Sequence, residues 1–124
     1  MDILNLDFIY LAAAFLVFDY FYFSNVASIY DAVVTAIQGS GINFKMLGAV
    51  GAYVAIVYQF YYFIYSKEGA NIMDAFVLGA TSYAIFDFTN YALFNNYPLN
   101  VGLMDILWRG VLYSLVFWAF KTYK

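Results

Sequence analysis

Long apolar runs separated by short polar segments dominate the chain. Four of these runs are long enough to cross a bilayer as helices, because about 20 apolar residues span its hydrocarbon core. The predicted spans cover residues 4–23, 44–65, 71–94 and 101–120. Together they take up most of the 124 residues. The pattern therefore predicts an all-α integral membrane protein, a four-transmembrane-helix bundle that forms a single domain over residues 1–124.

A shorter segment of mixed polarity lies between the first two spans. It is too short and too polar to cross the bilayer again, and its apolar and polar residues mostly fall on opposite sides of a helix. The pattern predicts an amphipathic interfacial helix over about residues 25–38, which stops at Gly39. The apolar side holds Val26, Ile29, Tyr30, Val33 and Ile37, and the polar side Asn25, Ser28, Asp31, Thr35 and Gln38.

Helix-start signals precede the last two spans. Asn71 can cap the third helix with Asp74 in its first turn, so this carboxylate has an ordinary structural explanation. Pro98 ends any continuation of the third helix, and Asn100 is the expected cap of the fourth.

The composition agrees with a membrane location and removes several classes of function. Charged residues make up 10% of the chain, whereas soluble domains contain roughly 25%. The lipid bilayer is therefore the expected partner. Five Lys and Arg residues in total cannot form a basic face, so no nucleic-acid partner is expected. Without histidine or cysteine there is no imidazole base, thiolate nucleophile or haem ligand, and no cofactor is expected.

The distribution of lysines predicts an orientation in the membrane. With four spans, Lys67, Lys121 and Lys124 share one side, whereas Lys45 is alone on the other. An excess of Lys and Arg marks the cytoplasmic side. Both termini are therefore predicted to be cytoplasmic.

Small residues recur at three- and four-residue spacing in two of the spans. Such residues let transmembrane helices approach closely, either within the bundle or in a homo-oligomer. The sequence leaves both interpretations open. The residues are Gly48, Gly51, Ala52 and Ala55 in the second span, and Ala75, Gly79 and Ala80 in the third.

Four charged residues lie inside the predicted spans. Asp19, Asp87, Asp105 and Arg109 are four to eight residues from span ends, which corresponds to depths of roughly 6 to 12 Å. Because successive spans are antiparallel, all four reach one level on the side away from the termini. A charged side chain that faces lipid at mid-membrane costs about 2.5–3.5 kcal/mol. We therefore expect these groups to face inward, to pair, to become neutral or to reach water.

Only one of the three acids has an obvious partner. Asp105 and Arg109 are spaced i,i+4 with the acid first, the favourable order for a pair within one helix. Two carboxylates then remain without a cation. Tyr83, Asp87 and Asn90 share one helix face, where hydroxyl and amide groups can bond the carboxylate. Surplus acids inside a membrane indicate an ion, proton or ligand site.

The region that carries these residues resembles a known family. Residues 79–92, GATSYAIFDFTNYA, are followed by Tyr97-Pro98-Leu99 and by residues 101–108. This pattern is similar to that of the bacterial domain-of-unknown-function family 2177, and Phe18-Asp19-Tyr20 resembles the family's first-span feature. The resemblance implies a four-helix membrane protein with no assigned activity. The positions that match its motif are Asp19, Asp87, Thr89, Asn90, Pro98, Asp105 and Trp108, whereas Arg109 departs from it.

The sequence favours a polar pocket in the outer half of the membrane that binds a proton, a cation or a small polar ligand, with transport as the sharper version. One alternative is a structural or interaction protein whose polar cluster only locks the helices together. An enzyme with paired carboxylates Asp87 and Asp105 is least favoured, because no nucleophile or metal-rich motif accompanies them. The identity of any metal stays open. The candidate binding residues are Asp19, Tyr83, Asp87, Asn90, Asp105, Trp108 and Arg109.

Overall fold

The computed structural model describes residues 6–42 and 45–122 and consists of four long helices. Each is long and apolar enough to cross a membrane, and no strand occurs in this described part of the chain. The prediction of an all-α four-helix membrane bundle is confirmed. The helices are α1 (Leu6–Gln38), α2 (Met46–Phe60) with a π-helical continuation (Tyr61–Tyr65), α3 (Ile72–Leu93) and α4 (Leu99–Thr122).

The first helix is longer than predicted. α1 contains 33 residues, about 50 Å, whereas a bilayer core is about 30 Å thick. It continues through residues 25–38 because no glycine or proline interrupts it before Gly39, whose positive φ of 79° ends it. A separate interfacial helix is thus not confirmed. Of the predicted apolar side, Val26, Tyr30 and Val33 are half-buried, whereas Ile29 is 40% exposed.

Of the two predicted helix caps, the one at Asn71 is confirmed and the one at Asn100 is wrong. Asn71 and Asp74 form the expected reciprocal cap, with Asn71 Oδ1 accepting from the Asp74 amide at 2.9 Å. α4 begins directly after Pro98, so Asn100 lies in its first turn and does not cap it. The fixed φ of proline suits a helix start, and its carbonyl accepts from the Gly102 amide at 3.2 Å. The predicted starts of the first two spans, at residues 4 and 44, lie outside the described residues.

α3 and α4 form the most extensive helix pair of the bundle. A Cβ atom added at Gly79 would lie 2.4 Å from the carbonyl oxygen of Arg109, and one at Gly110 would lie 2.6 Å from the Phe76 ring. Only glycine permits this approach, as the small-residue pattern of the third span predicts. Gly48 and Gly51 in α2 face open space instead. A homo-oligomer face there stays a prediction.

The interior is divided into an apolar half and a polar half. The apolar half lies toward the start of α1, where Phe15, Phe60 and Tyr113 pack edge to face with centroids 5.2 to 5.9 Å apart. α1 and α4 run antiparallel, so Phe15 contacts Tyr113 while Asp19, one turn later, reaches Arg109. Beyond Asp19 the interior becomes polar.

Large apolar side chains cover the outside of the bundle. Leu47 is 86% exposed, Ile85 72% and Leu93 72%. A soluble domain rarely leaves so many apolar side chains in water. The exterior is therefore suited to contact with lipid.

Candidate functional site

Asp19 is the most fully bonded acid of the polar half. Its side chain is 2% exposed, and Oδ2 lies 2.8 Å from Arg109 Nη1. Trp108 Nε1 donates to Oδ1 at 2.9 Å, and the hydroxyl of Tyr53 donates to Oδ2. Asp19 therefore has a cation and two neutral donors, as a buried carboxylate requires.

Arg109 pairs with a different acid from the one that the i,i+4 spacing predicts. Its Nε lies 3.6 Å from Asp105 Oδ1, which is too long for a hydrogen bond, whereas the bond to Asp19 is short. Its guanidinium also lies over the Tyr83 ring, 4.2 Å from the centroid. The neutralised acid is thus principally Asp19 of α1.

Asp87 and Asp105 form the second part of the cluster. The hydroxyl of Tyr97 donates to Asp87 Oδ1, and that of Tyr30 donates to Asp105 Oδ1 at 3.2 Å. Asp105 is close enough for its carboxyl group to act electrostatically on that of Asp87. Gly102 packs beside Asp87, and a Cβ added there would lie 3.4 Å from that of Asp87, at ordinary van der Waals distance.

The cluster holds more negative than positive charge. Asp19, Asp87, Asp105 and Arg109 are all buried, and among the described residues no other Lys or Arg is buried with them. Full ionisation would leave two surplus negative charges. Asp87 Oδ2 and Arg109 Nε are buried without a hydrogen-bond partner. Such atoms in a native site call for an explanation, for instance an absent ion.

The residues that the structure describes do not form a multidentate metal site. Within residues 6–42 and 45–122, no group of three or more acidic, His or Cys side chains is placed to hold a metal ion.

Tyr97 is held as a hydrogen-bond donor. It lies in the connection between α3 and α4, where burial and its bond to Asp87 both raise the pKa of its hydroxyl above the usual value. The hydroxyl therefore keeps its proton at physiological pH and can donate it to Asp87 throughout that range.

Six of the seven predicted site residues meet in one cluster. Asn90, the seventh, is half-buried and interacts with Tyr97, so it reaches Asp87 only through that side chain. Three hydroxyl donors to these acids, Tyr30, Tyr53 and Tyr97, are not predicted from the sequence. Tyr97 stands in the aromatic-proline-leucine segment that was singled out, but the sequence does not indicate that its hydroxyl turns inward.

A second polar network lies one helical turn further along α4. Tyr113 donates to Gln59 Oε1 at 2.6 Å, Gln59 Nε2 donates to Ser82 Oγ at 2.7 Å, and Ser82 Oγ donates to the Leu78 carbonyl at 2.7 Å. Each donor is directed to the next group, and the series ends on a backbone oxygen. This neutral network joins α2, α3 and α4.

Comparison with known proteins agrees with this architecture. A family model described as "Predicted membrane protein (DUF2177)" matches residues 4–121. The chain belongs to the DUF2177 family. Of the motif positions, Asp19, Asp87, Asp105 and Trp108 lie in the acidic cluster, whereas Thr89 is exposed. No curated protein and no solved structure gives a significant match.

Proposed function

We propose that the Asp87/Asp105 pair binds a proton or another small monovalent cation inside the membrane. The observation that carries the proposal is Asp87 Oδ2, which is buried without a donor beside a second carboxyl group. Two ionised carboxylates repel each other in such an environment. A shared proton turns this repulsion into a hydrogen bond, and a bound cation neutralises it.

The surrounding groups support a positively charged occupant. Arg109 is already paired with Asp19, and both nearby hydroxyls donate to the acids and add no positive charge. The two surplus negative charges would repel an anion. A small polar ligand with a positively charged amino group would be attracted in the same way as an inorganic cation. Surplus ionisable groups within a membrane most often have such a role.

Binding within a closed site is better supported than passage through the membrane. Below the acids, the neutral network of Gln59, Ser82 and Tyr113 directs every donor onward to a backbone carbonyl. Phe15 and Phe60 of the apolar core pack directly against Tyr113 of this network. A path to the opposite side would need further polar groups there.

A purely structural role is the competing function. The saturated bonding of Asp19 favours it, because a fully paired acid can lock helices without binding anything. Asp87 differs because one of its oxygens lacks a donor. A decisive experiment must therefore report on Asp87 alone.

Infrared titration of the purified protein in lipid tests the proposal. A protonated carboxyl group has a carbonyl-stretching band that the ionised form lacks. We expect a buried-acid band that changes with pH or with replacement of a bulky organic cation by sodium, and that is lost in Asp87→Asn. Glu68→Gln, which removes an exposed carboxylate in the turn before α3, should leave the band unchanged.

The outcomes separate the candidate functions. A band that responds to pH but not to sodium indicates a proton site, and one that sodium weakens indicates a cation site. If the native protein and Asp87→Asn give the same spectra at every pH and in both salts, binding is excluded and the structural role remains. Flux measurements in proteoliposomes then separate binding from transport, with no flux expected.

The lysine distribution supports an orientation in which both termini are cytoplasmic and the acidic cluster lies in the outer half of the membrane. The cluster is distant from the end of the bundle where Phe120 of α4 packs on Tyr65. Reporter fusions to each terminus, and to the connection between α3 and α4, test this proposal. Reporter activity outside the cell from either terminus would reverse it.

A further inference from the structure

A cavity of about 500 Å³ lies between the last third of α1 and the connection from α3 to α4. Its walls include Ser28, Ala32 and Val33 of α1, Asn96 and Pro98 of the connection, and Val101 of α4. Asn96 Nδ2 donates to the Ala36 carbonyl at 3.0 Å and ties the two walls together. None of the described residues that line it is charged.

The two tyrosines that bond the surplus acids are next in sequence to residues of the cavity wall, although neither lines the cavity itself. Tyr30 follows the wall residues Ser28 and Ile29 in α1, and its hydroxyl donates to Asp105. Tyr97 is between the wall residues Asn96 and Pro98 in the chain, and its hydroxyl donates to Asp87. Each carboxyl of the pair is thus bonded by a tyrosine whose neighbour in the chain belongs to the wall.

The position of Val101 gives the depth of the acids below the cavity. Val101 lines the cavity, and Asp105 is one helical turn further along α4 on the same side, about 6 Å away along the axis. The cavity wall at Val101 is therefore about one helical turn from Asp105 along α4.

We infer that this cavity is the route by which a cation reaches the Asp87/Asp105 pair, with Tyr30 and Tyr97 as the side chains that move to admit it. The inference rests on the proposed function, because it names the access path of the same site. Polar side chains such as Ser28 and Asn96 suit a hydrated ion. The negative charge below attracts cations and repels anions.

Single cysteines allow a direct test, since the native chain has none. Ser28→Cys places a near-isosteric thiol in the cavity wall, and Ser66→Cys places one in the exposed turn before α3, where the charges of Lys67 and Glu68 offset each other. Reaction rates with positively and negatively charged methanethiosulfonate reagents give a rate ratio at each position. Dividing the Ser28 ratio by the Ser66 ratio removes the intrinsic difference between the reagents.

A cavity above the acid pair should favour the positive reagent. We expect the normalised ratio at position 28 to be about three- to tenfold above unity, as electrostatic focusing at such distances implies. Adding Asp87→Asn or Asp105→Asn should lower this normalised ratio by about half. Asp105→Asn replaces Asp87→Asn in the test if the latter does not fold. A ratio of unity that neither substitution changes would overturn the inference, as would a thiol that reacts only after unfolding.

The infrared titration, repeated on Ser28→Cys, separates the two proposals. A titrating carboxyl band together with a ratio of unity leaves the binding site intact and rejects this route. An invariant spectrum rejects the binding site itself, whatever the thiol reactivity.

Discussion

Two polar networks lie about one helical turn apart inside the bundle, and they differ in charge and in completeness. The Gln59, Ser82 and Tyr113 network is neutral, and its donors form an ordered series. The acidic cluster has three carboxyl groups around one guanidinium and leaves Asp87 Oδ2 without a donor. The neutral network does what adhesion between helices requires. The acidic cluster carries charge that adhesion does not require, and the proposed binding site is based on this surplus.

Removing Arg109, the buried cation of the acidic cluster, should have the largest effect on the stability of the protein. We expect Arg109→Gln to destabilise the protein by about 3–5 kcal/mol, because Asp19 would stay buried without its cation. Unfolding in detergent with increasing dodecyl sulfate, followed by circular dichroism, measures this. Lys67→Gln, in an exposed turn, is the control and should have little effect. A loss below about 1 kcal/mol would mean that Asp19 is not charged in the native protein.

The second-largest loss of stability is expected from disturbing the contact between α3 and α4 at Gly79, which lies beside both networks. Gly79 packs against Arg109 and Tyr113, so Gly79→Ala should cost about 1–3 kcal/mol through overpacking. Gly51→Ala is the matched control. It adds the same methyl group in open space and should be neutral or stabilising by up to about 1 kcal/mol. Equal effects in the same unfolding assay would contradict the close approach of α3 and α4.

The neutral network should make a smaller contribution. Tyr113→Phe removes the donor to Gln59 and should cost about 0.6–1.7 kcal/mol, the range of hydrogen bonds between membrane helices. The loss should not vary with pH, because no ionised group takes part. Tyr58→Phe, at an exposed ring, is the control. A pH-dependent loss would show that the two networks are coupled.

The smallest effect on stability is expected at the proposed binding residue. Asp87→Asn should change the free energy of unfolding by less than about 1 kcal/mol, with any change stabilising, because it removes surplus buried charge. Asp19→Asn is the contrasting variant and should destabilise by about 1–3 kcal/mol through its lost charge-assisted bonds. If both variants lose equal stability, Asp87 is a structural residue like Asp19.

Much of the fold could be predicted because its determinants are local. Four apolar runs, the Asn71 cap and the Pro98 break each act through neighbouring residues, and they predict the helices within a few positions. The exception is α1. The change in polarity after residue 24 predicts the end of the first helix. The helix continues because no glycine or proline interrupts it there.

The candidate site could be predicted in composition but not in connectivity. The free-energy cost of exposing a charge to lipid is enough to predict that four side chains face the interior of the bundle, namely Asp19, Asp87, Asp105 and Arg109. Which acid Arg109 pairs with depends on the packing of α1 against α4, since Asp19 and Arg109 are 90 positions apart. The three tyrosine donors were missed for the same reason, because in an aromatic-rich chain only packing separates an inward tyrosine from one that faces lipid.

By itself, the sequence determined that this protein lies in a membrane as four helices and that its deep charges must avoid lipid, because both follow from the solvation of individual side chains. Only the tertiary structure decided that Arg109 neutralises Asp19 and leaves Asp87 and Asp105 without a hydrogen-bonded cation. That choice depends on distances between helices remote in sequence, and the close approach at Gly79 and Gly110 helps to set them.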